Sequence, residues 1–171
     1  MEGPLLMPKS YWAIFVVVAA RYLLFSAPAF LIFYWLKGKE WSFRKIQTGF
    51  PKGADYWREV GFSIITVFIF AAVGYIIFLT PVRAYTLVYN QVGDFGWWYL
   101  IFSTFVIFII HDTYFYWMHR WMHHPAVYRW VHRVHHQSTN PSPWAALAFH
   151  PIEAVFEASI IALVAFIMPV H

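Results

Sequence analysis

The stretch Val60–Leu79, VGFSIITVFIFAAVGYIIFL, contains no charged side chain. A helix needs about 20 apolar residues to cross a hydrocarbon core roughly 30 Å thick, and this stretch supplies them without interruption. Working outward, Tyr11–Trp35 meets the same requirement. Trp97 to about Met118 meets it only if the helix runs on through His111 and Asp112, and Ala145–Val170 carries His150, Glu153 and Glu157 in its first half. The chain as a whole is 61% hydrophobic, 23% aromatic and 12% charged, far outside what a soluble core of 171 residues needs. The expected fold is therefore all-α: an integral membrane helical bundle of about four transmembrane helices with a cytoplasmic histidine-rich helical segment.

Charge placement orients that bundle. Net charge is +4, and Lys37, Lys39, Arg44, Lys45, Lys52 and Arg58 lie between the first two spans, whereas Thr80–Gly96 has only Arg83. The positive-inside rule puts the first loop in the cytoplasm. Two crossings later the chain returns to that side, where Arg120, Arg129 and Arg133 accompany the histidines. A nucleic-acid-binding reading of the basic balance fails, because membrane topology already accounts for it. The first apolar stretch is too long for a secretory h-region and is expected to remain as a span. Inside it, Arg21 would cost about 2.5–3.5 kcal/mol at the centre of an isolated helix. It should therefore face another helix, or lie near an interface if Ser26-Ala27-Pro28 bends the span.

The chain has no cysteine, so any metal must be held by nitrogen and oxygen. All nine histidines fall between His111 and His171, and seven of them between His111 and His136. His119 and His123 are spaced i, i+4, and His132, His135 and His136 are spaced i, i+3, i+4; on helices each set projects from one face. Five imidazoles at two matched spacings point to a metal site, and Pro125 divides the segment into two short helical pieces. Asp112 falls within about 20° of His119 and His123 on the same helical stripe, where a carboxylate could orient an imidazole. His111 and His124 sit off the tightest stripe. Imidazole suits zinc, copper, iron and nickel, so residue type does not choose the metal; more than four histidines suggest two ions or one of higher coordination. A histidine site lining an ion path, or a non-catalytic scaffold, are the competing classes. An ion path predicts ionisable residues spread through several spans at midplane depth, and here they cluster.

The run HDTYFYWMHRWMHHPAVYRWVHRVHHQSTNPSPWAALAFHPIEA, beginning at His111, resembles the fatty acid hydroxylase and sterol desaturase superfamily. His119-x3-His123 resembles its first histidine box, His132-x2-His135-His136 its second, and Ala148-Phe149-His150-Pro151-x-Glu153 the element that follows in sterol C5-desaturases and C4-methyl oxidases. The resemblance covers about Ile110–His171. It divides the chain into N-terminal helices and loops, residues 1–96, and a partial hydroxylase-like domain, residues 97–171. It also implies a di-iron centre with His119, His123, His132, His135 and His136 as ligands, O2 as co-substrate and electrons from an external electron-transfer protein. The implied reaction is hydroxylation or desaturation at a lipid C–H bond, in the bacterial inner membrane or the endoplasmic reticulum. The lipid could be a sterol, sphingolipid, ether lipid, carotenoid or fatty acyl chain. Asp112, His150 and Glu153 are expected to position the ligands rather than bind metal. The family pattern continues past the equivalent of His171 with a further helix and a third histidine box, so the sequence reads as a fragment of a longer protein.

Overall fold

The structure is a computed structural model that describes residues 10–47 and 49–171. Helix α1, Tyr11–Phe30, starts where the Ser10 hydroxyl accepts the Ala13 N–H at 3.2 Å. Pro28 removes one backbone donor near its end, and the chain continues as a wider π-helical stretch, Leu31–Leu36. Helix α2 spans Gly53–Leu79, opened by Asp55, whose carboxylate accepts the Lys52 N–H at 3.0 Å, and closed by Thr80-Pro81. Helix α3, Gly96–Met122, does run through His111 and Asp112. Among the described residues, Tyr11–Leu36, α2 and α3 are the three helices long and apolar enough to cross a membrane.

The fourth apolar stretch forms a shorter element than its composition suggested. Its first residues fall in a 3-10 turn, Pro143–Leu147, and helix α6 begins only at Pro151 and ends at Ile167. Its 17 residues rise about 25 Å, less than a hydrocarbon core. Between α3 and this turn lie two short helices, α4, Pro125–Val131, and α5, Arg133–His136.

Helix α2 is the centre of the bundle, with α1 and α6 packed against it and α3 against α6. Small residues make these contacts close: Ala71 in α2 and Ala154, Ala158 and Ala165 in α6 are buried. A Cβ on Gly74 would stand 3.2 Å from Ile14 of α1. Without a hydrophobic drive between helices in lipid, such close backbone approach is how membrane helices gain dispersion energy. The outward faces carry exposed Leu24, Phe25, Phe105 and Phe108, as a surface bathed in acyl chains should. Arg21 is exposed rather than turned toward another helix, because its neighbour Tyr22 takes the inward position.

The two ends of the bundle differ. At one, Leu87 and Tyr89 donate backbone N–H groups to Ala165 and Val170, tying the α2–α3 connection to the end of α6. At the other, the Gln47 amide donates to the Thr139 carbonyl at 3.4 Å, and the Asn140 amide to the Gly49 carbonyl at 3.1 Å. The basic first loop and the histidine segment thus share one end, as the charge pattern required.

Candidate metal centre

The last turn of α3 carries His119, and His123 caps its C-terminus one turn later, so the two Nε2 atoms come within 3.1 Å. The second set arrives by a break rather than by one continuous helix. His132 occupies the junction between α4 and α5, with φ −115° and ψ −12°. Beneath it Met118, Met122 and Val131 form a small apolar cluster with Tyr114, Val127 and Phe156, which seats α4 on α3 and α6. The His132 ring consequently lies 4.6 Å from that of His119, 4.8 Å from His123 and 4.7 Å from His136, centroid to centroid. His136 lies 4.9 Å from His123. The donor nitrogens of His119, His123 and His132 all fall within 4.8 Å of one another.

His135 adjoins this group without joining its centre. Its ring stacks on His132 at 5.2 Å on one side and on Phe149 at 5.5 Å on the other. It also lines a cavity of about 300 Å³ whose other walls are mostly small residues, among them Ser142, Ala145, Ala146 and Ala148.

A carboxylate backs the cluster, and it is Glu153. Both Glu153 and His132 are almost wholly buried, and Glu153 Oε1 accepts from His132 Nδ1 at 2.7 Å. With Glu153 ionised, that bond places the ring proton on Nδ1 and leaves the Nε2 lone pair free; Nε2 is buried and has no hydrogen-bond partner among the described residues. A buried, partnerless acceptor facing two other imidazole nitrogens is what a cation would satisfy, so the residues fit a metal. Burial, reinforced by the neighbouring His123 imidazole, depresses the His132 pKa from 6.5 to about 4. Burial likewise lowers His135 and His136, with Glu153 opposing the shift at His135. His132, His135 and His136 are therefore held toward the neutral form, which is the one that ligates metal.

The other expected positioning residues sit elsewhere. Asp112 is exposed on α3, its carboxylate 3.4 Å from His111 Nδ1 and turned away from the cluster. His150 caps the N-terminus of α6, its Nδ1 accepting the Ile152 N–H at 3.3 Å; His124 does the same for α4, accepting the Ala126 N–H at 3.4 Å. His171 packs 5.3 Å from Tyr89 at the opposite end of α6 from the histidine cluster.

Fold and cluster together define a polytopic helical membrane protein with a histidine site at one end of its bundle. Residues 104–171 match the Fatty acid hydroxylase family. Over these residues the chain is similar to the fatty acid hydroxylase and sterol desaturase superfamily. It is similar to a Delta(7)-sterol 5(6)-desaturase of Gibberella zeae, 41% identical over 81 residues, which cover 47% of this chain and 25% of the relative. The corresponding enzyme of Aspergillus fumigatus is 42% identical over the same length. Lathosterol oxidase of Rattus norvegicus is 32% identical over 116 residues, 67% of this chain and 39% of the relative. The chain thus spans well under half the length of these relatives. No solved structure matches it.

Proposed function

We propose that this chain is the histidine-bearing part of a membrane-bound, non-haem di-iron oxidoreductase that uses O2 to oxidise a C–H bond of a lipid. The observation that carries the reading is the convergence of His119, His123, His132 and His136 around the buried, partnerless Nε2 of His132. These four, with His135 beside them, would hold the iron. When bound, the iron supplies reduction of O2 with electrons from an external redox protein and removal of hydrogen from an unactivated carbon.

The chain's own residues prepare that chemistry. Glu153 holds the Nδ1 proton of His132 and fixes the ring's orientation. The buried apolar cluster under His132 keeps water from that face. The cavity beside His135, walled by alanines, offers an apolar lipid a place next to the site. A sterol is the substrate class we favour, because the relatives named above act on sterols by name. The net change would be loss of two hydrogens to form a double bond, with both O2 oxygens leaving as two waters, or insertion of one oxygen, with the other leaving as one water; either course takes two electrons from the partner and two protons from solvent. The basic first loop beside the histidines supports a cytoplasmic position for the site.

Elemental analysis of detergent-purified protein, together with mass-spectrometric product analysis on a supplied Δ7-sterol, tests this. Iron near two per chain and an oxidised sterol are expected from the full-length natural protein. Zinc alone, or no metal, would overturn the reading.

A further inference from the structure

The segment from Gln137 to His150 connects α5 to α6 and dips between α1 and α2. It carries site groups at both ends: His136 immediately precedes it, and Glu153 lies in the first turn of the helix it leads into. Non-helical backbone cannot sit at membrane depth unless its polar groups find protein partners. Here a row of donors from the N-terminal helices meets its carbonyls. The Tyr34 hydroxyl donates to Pro141 at 2.9 Å, and the Tyr22 and Ser63 hydroxyls both donate to Trp144 at 2.8 Å.

Two side chains at the start of α2 grip the ends nearest the histidines. Arg58 donates to the Gln137 carbonyl at 3.2 Å and to the Ser138 hydroxyl at 3.4 Å, while Asp55 steadies the guanidinium at 2.8 Å. The Glu59 carboxylate, fully buried, accepts the Ser142 hydroxyl at 2.5 Å and the Ser142 N–H at 3.3 Å. The apolar packing of α2 in the bundle runs through Val67, Ala71 and Ile77, further along the helix. Among the described residues the hydrogen bonds of Glu59 all go to this segment and its Oε1 has no partner, a costly burial unless the segment's position matters.

We propose that Arg58 and Glu59 are positioning residues for the metal centre, setting the segment that spaces His135 and His136 from Glu153 and, through Glu153, the ring of His132. Released from them, this segment shifts and the two halves of the site lose their register. This rests on the metal-binding reading above.

The test uses the full-length natural protein and its Arg58→Ala, Arg58→Lys, Glu59→Ala and Glu59→Gln variants, titrated with Co2+ in detergent. Binding is followed through the d–d absorption bands, and folding through far-ultraviolet circular dichroism. The alanine variants should bind Co2+ about 10–100-fold more weakly with displaced bands, as when a group behind a ligand is lost. Helix content should be retained. Arg58→Lys keeps the charge but not the forked reach, and Glu59→Gln keeps one acceptor; both should fall between wild type and alanine. If an alanine variant does not fold, these two carry the test. Affinity and bands unchanged across the folded variants, even with a lower unfolding temperature, would overturn the proposal. Failure of the wild type itself to take up Co2+ would instead overturn the metal reading, and this inference with it.

Discussion

At the residue scale the site turns on the pairing of His132 with Glu153. Glu153→Gln keeps the shape but weakens the acceptor behind His132, so metal affinity should fall about 10–100-fold by equilibrium titration; His132→Ala should abolish binding in the same assay. His124→Ala should leave metal content unchanged and cost about 1 kcal/mol or less, since that side chain only caps α4. The acid response has a definite sign. His132 is depressed from 6.5 to about 4 by burial and by His123, so its neutral form contributes stability that is complete above pH 6.5 and is lost as pH falls toward 4. Burial raises Glu153 and Glu157 to about 7, which gives the opposite slope over part of that window, so the test compares metal-free wild type with His132→Gln: the wild-type midpoint should fall more steeply as pH drops from 6.5 toward 4, and identical slopes would mean the ring is not buried neutral. Spacing anticipated the approach of His119 to His123, because the two share the end of one helix. It misplaced Asp112 because a helical stripe tells which residues share a face, not which neighbour that face meets. The capping roles of His124 and His150 were signalled by the prolines that follow each of them.

At the scale of elements, apolar length announced three helices and their approximate bounds, since a run of more than 20 apolar residues finds a matching solvent in the hydrocarbon core of a bilayer. It put the start of the fourth at Ala145, too early, since that helix begins at Pro151. Ala145, Ala146 and Leu147 are as apolar as any span residue, yet the prolines at 143 and 151 split them off as a 3-10 turn. The donors that receive that turn, Tyr22 and Ser63, are far away in sequence, and nothing local marks them. The close crossing of α1 and α2 gives a direct test. Gly74→Leu should destabilise this pair by about 1–3 kcal/mol, because a Cβ there already presses on Ile14. Faster proteolysis of the first loop in detergent is the expected sign, and wild-type resistance would mean the helices cross elsewhere.

At the scale of the whole molecule, the charge bias carried information that no single helix did: it placed two basic segments on one side, and the structure brings them into hydrogen-bond contact. Because the chain has no cysteine, single substitutions can report topology directly. Lys39→Cys and Arg129→Cys, both at exposed positions, should react with an impermeant maleimide from the cytoplasmic face, and Asp94→Cys from the opposite face. Labelling of Lys39→Cys and Asp94→Cys from the same face would reverse the arrangement.

The row of hydroxyls that receives the segment between α5 and α6 also imposes an order on biogenesis. Tyr22 and Trp144 are separated by 122 residues, and Tyr34 and Pro141 by 107. The donors leave the ribosome long before their acceptors are made, so the α1–α2 hairpin enters the bilayer with polar groups unclaimed. Ser63 can turn to the carbonyl one helical turn behind it in the meantime; a tyrosine hydroxyl has no such local refuge. The nascent hairpin is therefore a waiting receptor for its own downstream sequence, and the histidine site is completed last, when the chain behind it threads into a slot that was built first.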